Sequence, residues 1–377
     1  MSRPLRILQI LDKNQFNTGS VHQMFQAAAG LRERGHSVWV ITPEGEEMRE
    51  RCEAAGIEFV PLPLRSEIDV SSIRAIGALV RQTGTDVIHV HKGRPHTLAL
   101  AATWRREVAA FIVNRGVSFP LTVWNRPKYQ TSRVDRIVCV CENIRQVVIE
   151  SGRIDPPKVL VIYAGTDTEW FSPDRWERED FRREKDIPPD AFLFAQVGVR
   201  DWKGWRELVD AFVPVQRKHP AVRLMLIAYR DAAQRDEVIR YAAERGVRDA
   251  VIPVEYRPDM ARVLAAADCV VDASWAGTGI TGTIREGMAL RKPVIATNAG
   301  GNEELLSSPE LGWLISARDE GALTRAMLEI VENPDTRSRV AARAMEHVRA
   351  GFSRTHRLDR LERLYGEVVE GGARGEG

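Results

Sequence analysis

Short apolar runs rich in β-branched residues recur along the chain, with stretches between them whose apolar positions repeat at helical spacing. In the first half the runs are RILQIL, SVWVIT, GIEFVPLPL, DVIHVH, AAFIVNRG, RIVCVC and KVLVIY. The segments between them include VHQMFQAAAGLRERG, closed by Gly35, and SIRAIGALVRQTG, closed by Gly84. A glycine just past the last apolar position stops a helix because it takes the left-handed conformation cheaply. Runs that are apolar throughout belong to strands covered on both faces, and helical crossovers between them predict a parallel sheet.

The texture changes at residues 168–190, TEWFSPDRWEREDFRREKDIPPD, which are charged, contain prolines and hold no strand pattern. Composition reads this stretch as a linker. A second series follows: FLFAQVGV, RLMLIA, AVIPVEY, CVVDAS, PVIAT and GWLIS, with helical segments such as WRELVDAFVPVQRKHP between them. Residues 352–368 read as a last helix that packs back across both domains. The expected fold is α/β: two doubly wound Rossmann-like domains, 1–172 and 173–352, with 353–377 returning to the first. Ligands in such sheets lie outside the carboxyl ends of the strands, here in a cleft between the domains.

Composition narrows the class. A chain of 377 residues suits two domains. With 44% hydrophobic and 28% charged residues it reads as globular, and a net charge of +2 gives no footprint for nucleic acid. Cys52, Cys139, Cys141 and Cys269 show no zinc-like spacing and read as reduced, buried thiols. No apolar run reaches the roughly 18 residues of a membrane helix. The basic, then apolar N-terminus MSRPLRILQIL runs straight into polar DKNQ and reads as a first strand rather than a signal peptide. A cytoplasmic protein without a metal is the expectation.

One motif carries chemistry. Gly277, Gly279 and Gly282 spell G-x-G-x-x-G after the run CVVDAS and before a helical stretch, the context of a dinucleotide fingerprint. Two features speak against that ligand. The motif lies deep in the second series, and the next strand, PVIAT, leads into Asn298 where an acidic ribose ligand is needed. The physics of the spacing survives a change of ligand: glycines admit an anion close to the backbone, and a helix N-terminus offers it free N–H groups. The plain alternative is a tight turn that needs glycine at positive φ. Glu286, four residues past Gly282, stands in the first turns of that helix. A carboxylate there can accept two hydrogen bonds from a sugar diol, or simply complement the helix dipole.

Five further stretches, in order from Arg6 to about Phe352, make the chain resemble the retaining GT-B glycosyltransferases of family 4: RGHSVWVIT, DVIHVH, KVLVIYAGTDTEWFSP, DWKGWRELVDAF and GMALRKPVIATNAGGNEELL. The resemblance implies a two-domain GT-B fold, a nucleotide-sugar donor held on the C-terminal domain, and a glycan or lipid-linked acceptor on the other. It implies retention of anomeric configuration, no metal ion, and a role in cell-surface polysaccharide or lipopolysaccharide synthesis.

Residue by residue, Lys203 in WKG matches the lysine that neutralises the donor diphosphate. Arg200 stands three residues before it and is expected to fill the diphosphate-binding role from a shorter loop; the family has an arginine five before, and that place here is Gly198. Glu286 matches the second glutamate of an E-x7-E motif that binds the ribose. The first falls on Thr278, which carries no charge, so Gly279, Ile280 and Thr281 become the backbone cradle for phosphate or sugar. Glu304 in AGGNEE fits the acidic member of the family's G-G-x-x-E turn. Gly19 and Ser20 stand where two glycines touch donor phosphate or acceptor. His91 matches a histidine that contacts the donor sugar, and His89 faces the same way, so the choice between the two stays open.

Residues 105–136 interleave Arg105, Arg106, Arg115, Arg126, Lys128, Arg133 and Arg136 with Trp104, Phe111, Phe119, Trp124 and Tyr129. One reading is peripheral contact with an anionic membrane at its inner face. The other, favoured by how common such charge runs are, is a solvated face over core aromatics. Three rivals to the transferase remain: a non-catalytic sugar-nucleotide binder, a GT-B nucleotide-sugar 2-epimerase, and the disfavoured NAD enzyme.

Overall fold

The computed structural model describes residues 3–16, 18–105, 108–277 and 279–373. The chain divides into two compact units, residues 1–165 with 354–377, and residues 166–353. Each apolar run of the sequence becomes a strand. In the first unit these are β1 (Arg6–Leu11), β2 (Ser37–Thr42), β3 (Glu58–Pro61), β4 (Val87–His91), β5 (Ala110–Arg115), β6 (Arg136–Cys139) and β7 (Val159–Val161). In the second they are β8 (Leu193–Val197), β9 (Arg223–Tyr229), β10 (Val251–Glu255), β11 (Cys269–Asp272), β12 (Val294–Thr297) and β13 (Trp313–Ile315).

The strand orders are β3-β2-β1-β4-β5-β6-β7 and β10-β9-β8-β11-β12-β13. Every neighbouring pair runs parallel, for example Ile10 beside Val90 and Val270 beside Val294. Order reverses between β1 and β4 in the first unit and between β8 and β11 in the second. The carboxyl ends of those four strands therefore flank the crevices where doubly wound sheets take ligands.

Helix ends follow the local chemistry. Gly84 closes the helix Val70–Thr83 in the left-handed conformation at φ 59°, and Gly35 follows the helix Gly19–Glu33 at φ 91°. Asp69, Asp231 and Asp319 each cap a helix start through a backbone N–H three residues on. The first core gathers Ile7, Met24, Val40 and Ile112 with Leu358, Leu361 and Tyr365 of the helix Arg354–Ala373. Phe194, Trp205, Phe212, Leu224 and Val271 anchor the second. All four cysteines are buried, and none is joined in a disulfide.

Residues 168–190 are not a free linker. They lie in the second unit and carry the helix Arg178–Glu184. Arg182 is 1% exposed, donating to Ala191 O at 2.8 Å, Ala266 O at 2.9 Å and the Asp268 carboxylate at 2.7 Å. Arg178 reaches the same carboxylate at 3.0 Å. A charged, proline-bearing composition was thus misleading: Arg178 and Arg182 turn inward to a half-buried aspartate and backbone carbonyls, which no count of polar residues reveals.

Candidate functional site

The second unit's crevice is built on Asp272, the last residue of β11. Its carboxylate is 1% exposed and is bonded on both oxygens. Oδ1 accepts from Lys203 Nζ at 3.0 Å and Ser274 Oγ at 2.7 Å. Oδ2 accepts from Thr281 Oγ1 at 2.8 Å and Asn302 Nδ2 at 3.4 Å. Asn302 also accepts from the Thr281 N–H at 2.9 Å and donates to Thr297 O at 3.0 Å. One buried charge thereby fixes three loops, after β8, β11 and β12.

Glycine sets how close those loops come. Gly204 has φ 66°, and a Cβ there would lie 2.0 Å from Ala273 O. Only glycine lets the WKG turn lie against the end of β11, where the Trp275 N–H donates to Trp202 O at 3.0 Å. Gly300, at φ 70°, comes against Gly279 in the same way, with Gly279 O 2.6 Å from where its Cβ would stand. The close approaches therefore fall on Gly204 and Gly300. Gly282 only opens the helix Gly282–Ala289, and Gly277 has open space around it. The dinucleotide spacing is coincidental as geometry.

Of the residues singled out from sequence, Lys203 and Thr281 are brought together through Asp272. Thr278 lies outside the described residues. Gly279 and Ile280 are half-buried beside Thr281. Glu286 sits one turn into the helix, its Oε1 3.8 Å from where a Cβ on Gly282 would stand, so it folds back over the helix start. Burial pushes its carboxyl up to about 7, against the pull of Arg285. Arg200 is exposed at the entry to the Asp201–Lys203 turn, and its carbonyl accepts the Lys203 N–H at 2.9 Å. Glu304 lies in the helix Asn302–Leu305.

In the first unit, Gly19 and Ser20 form the first turn of the helix Gly19–Glu33. His91 and His89 are buried in β4 with rings stacked at 4.5 Å. His91 Nε2 donates to Gln9 Oε1 at 2.7 Å, and Gln9 Nε2 donates to the Tyr365 hydroxyl at 3.4 Å. That hydroxyl then gives its proton to His89 Nδ1 at 2.6 Å. Burial, with Arg357 nearby, pushes His89 down to about 3, and burial with His89 and Arg357 drives His91 well below its ordinary range. Both rings are neutral near pH 7. Gln9, the one polar residue inside the run ILQIL, is explained by this chain.

The 105–136 segment resolves into two parts. Phe111 and Tyr129 are core, whereas Trp104, Phe119 and Trp124 are exposed, Trp124 to 92%. Arg106 is outside the described residues. Lys128 bonds Glu67, Gly93 O and Thr97, and Arg133 bonds Leu100 O and Thr103, so these cations brace the unit's own backbone. Among the described residues no three His, Cys, Asp or Glu side chains converge on a metal position, and no helix is long and apolar enough to cross a membrane.

Sequence reading missed Asp272. Its signal was an acidic residue closing the otherwise apolar run CVVD at the carboxyl end of a strand.

Residues 18–170 match the family described as glycosyltransferase family 4, and residues 189–333 the one described as glycosyl transferases group 1. The chain belongs to glycosyltransferase family 4. The D-inositol 3-phosphate glycosyltransferase of Stackebrandtia nassauensis is 30% identical over 247 residues, 63% of this family 4 chain and 55% of that enzyme. The alignment thus spans little more than half of that relative. An Escherichia coli UDP-Gal:alpha-D-GlcNAc-diphosphoundecaprenol alpha-1,3-galactosyltransferase is 21% identical over 314 residues, 80% of each chain. Among solved structures, a glycosyltransferase from Rickettsia africae superposes with TM-score 0.90 at 20% identity, covering 98% of this chain and 99% of that one. Anabaena HepE, solved with UDP, gives 0.83 at 16% identity over 96% and 100%. The fold of this glycosyltransferase family 4 chain is GT-B.

Proposed function

We propose that the protein moves a sugar from a nucleotide-sugar donor to a glycan or lipid-linked acceptor, with retention at the anomeric carbon, in making cell-surface polysaccharide or lipopolysaccharide. The observation that carries this reading is the joint placement of Lys203, Thr281 and the Glu286 helix around the β8/β11 crevice. Support comes from relatives named for transfer to GlcNAc-diphosphoundecaprenol and for lipopolysaccharide core biosynthesis, and from the UDP solved with HepE.

In this reading Glu286 accepts hydrogen bonds from the ribose diol. The N–H groups opening the helix Gly282–Ala289 and the Gly279–Thr281 backbone take the diphosphate. Lys203 stabilises the charge that grows on the departing nucleotide. Asp272 holds that ammonium in place and tempers its charge. His91, neutral and fixed by Gln9, acts in this reading as a positioned polar group rather than as a proton donor at pH 7. Catalysis rests on positioning and charge stabilisation, with a donor phosphate oxygen accepting the acceptor's proton. No resident metal is needed for these roles.

A panel of UDP-, GDP- and ADP-sugars tests the assignment by thermal shift and donor hydrolysis. Lys203→Ala and Glu286→Ala are each expected to abolish stabilisation by the preferred nucleotide, and full retention in both would remove the site. Binding without turnover in the presence of acceptors would favour a non-catalytic binder. Peripheral contact with an inner-face membrane is part of the proposal, carried by exposed Val123 and Trp124 rather than by Lys128 and Arg133. Flotation with anionic vesicles should fall on Trp124→Ala; unchanged recovery would refute that contact.

A further inference from the structure

The first unit's own crevice holds a cluster that the donor site does not use. Asp12 follows β1 and Lys92 follows β4, side by side where the strand order reverses, with Leu11 and His91 in register just before them. Lys92 Nζ is 3.9 Å from Asp12 Oδ1, and Arg94 Nη1 is 4.0 Å from Asp12 Oδ2. Both separations are too long for hydrogen bonds. Asp12 Oδ1, though buried, accepts none among the described residues. Asp86 in the same unit behaves differently, taking Arg3 at 2.8 Å and Arg6 at 2.9 Å. Asp12 gathers cations without taking a hydrogen bond from them; Arg94 spends one N–H on Leu64 O at 3.0 Å.

Lys92 also sits against its own preferences. Burial pushes the Lys92 ammonium below its ordinary range; Asp12 opposes this, and the neighbouring Lys13 ammonium adds to it. Lys92 has φ 75° and ψ 172°, a region essentially reserved for glycine. That backbone leads directly into the helix Gly93–Ala102, whose first N–H groups and dipole favour an anion. Two cations against one carboxylate, with the Lys13 ammonium beside Lys92, at a helix start and a strand-order reversal, form a site for a doubly charged oxyanion.

We propose that Lys13, Lys92, Arg94 and the start of the helix Gly93–Ala102 bind a phosphate group carried by the acceptor substrate. The inference rests on the transferase reading, in which this unit takes the acceptor. The shared chemistry is a phosphate near the acceptor sugar, whether on a soluble sugar phosphate or on a polyprenyl lipid.

Calorimetric titration of the full chain tests it with inorganic phosphate, glucose 6-phosphate, and phosphatidylcholine vesicles containing undecaprenyl phosphate; glucose is the neutral control. Lys92→Gly removes the ammonium and suits the backbone better, so it should fold, and Lys13→Gln changes only an exposed side chain. Each is expected to weaken phosphate binding about tenfold or more, the worth of one charge-assisted hydrogen bond, while stabilisation by UDP is unchanged. Binding of glucose 6-phosphate would identify a soluble acceptor and binding of the lipid vesicles a membrane one; either supports the site. No phosphate binding by the native chain, or equal affinity in both variants, would overturn it. So would a response to inorganic phosphate alone, an adventitious ion only. Loss of the UDP response with phosphate binding intact would sink the transferase reading and leave this site standing.

Discussion

Asp272→Asn is the sharpest perturbation of the second unit. The change keeps shape but replaces a carboxylate that accepts four hydrogen bonds with an amide that accepts on one side only. Its new NH2 must face either Lys203 and Ser274 or Thr281 and Asn302, donors against donors. Removing one partner from a buried pair costs about 3–5 kcal/mol. Lys203 is 16% exposed in its side chain, so solvent recovers part of its charge and the lower figure, about 3 kcal/mol, applies. For a unit of this size about 2–4 °C is lost per kcal/mol, so its melting transition should fall by about 6–12 °C. The assay is a double-mutant cycle by calorimetric melting with Lys203→Met, which removes the unpaired cation. The double variant should recover at least about 1 kcal/mol relative to the sum of the singles. Additivity within about 0.5 kcal/mol would refute the claim that Asp272 and Lys203 act as one unit.

Three further outcomes are expected. The Glu286 carboxyl, raised from its ordinary 4.5 to about 7, favours its neutral form when folded; its contribution is complete below about pH 4.5 and is lost as pH rises through 7. Urea unfolding should show the second unit losing up to about 3 kcal/mol between pH 5 and 8 relative to Glu286→Gln, and parallel pH curves for the two would contradict the burial effect. Gly204→Ala should destabilise by well over about 2 kcal/mol, because its Cβ meets Ala273 O at 2.0 Å, whereas Gly246→Ala, at φ 72° with nothing within 4 Å, should cost only about 1 kcal/mol. Equal melting points for the two would mean that backbone conformation, not the close approach, governs the WKG turn. Tyr365→Phe removes the hydroxyl between His89 and Gln9 and should cost the first unit about 1–3 kcal/mol, read by denaturant titration; no change would mean that a water replaces it.

What the sequence determined by itself was local. The thirteen strands, the helix stops at Gly35 and Gly84, and the parallel character of both sheets follow from periodicity and from glycine's conformational freedom. Both are encoded within a few neighbouring residues. The resemblance to family 4 was carried by motifs such as WKG and AGGNEE, which are also contiguous. What only tertiary structure decided were the partners that chain separation hides. Strand order put Asp12 beside Lys92, and Asp272 within reach of Lys203 and Asn302. The fold gave Gln9, His89, His91 and Tyr365 a common hydrogen-bond chain, and turned Arg178 and Arg182 inward onto Asp268. Periodicity tells which face of an element is buried, but a buried charge is tolerable only if a specific donor or acceptor meets it. That partner arrives from another strand end or helix, at a position fixed by the sheet and invisible in the spacing of either segment.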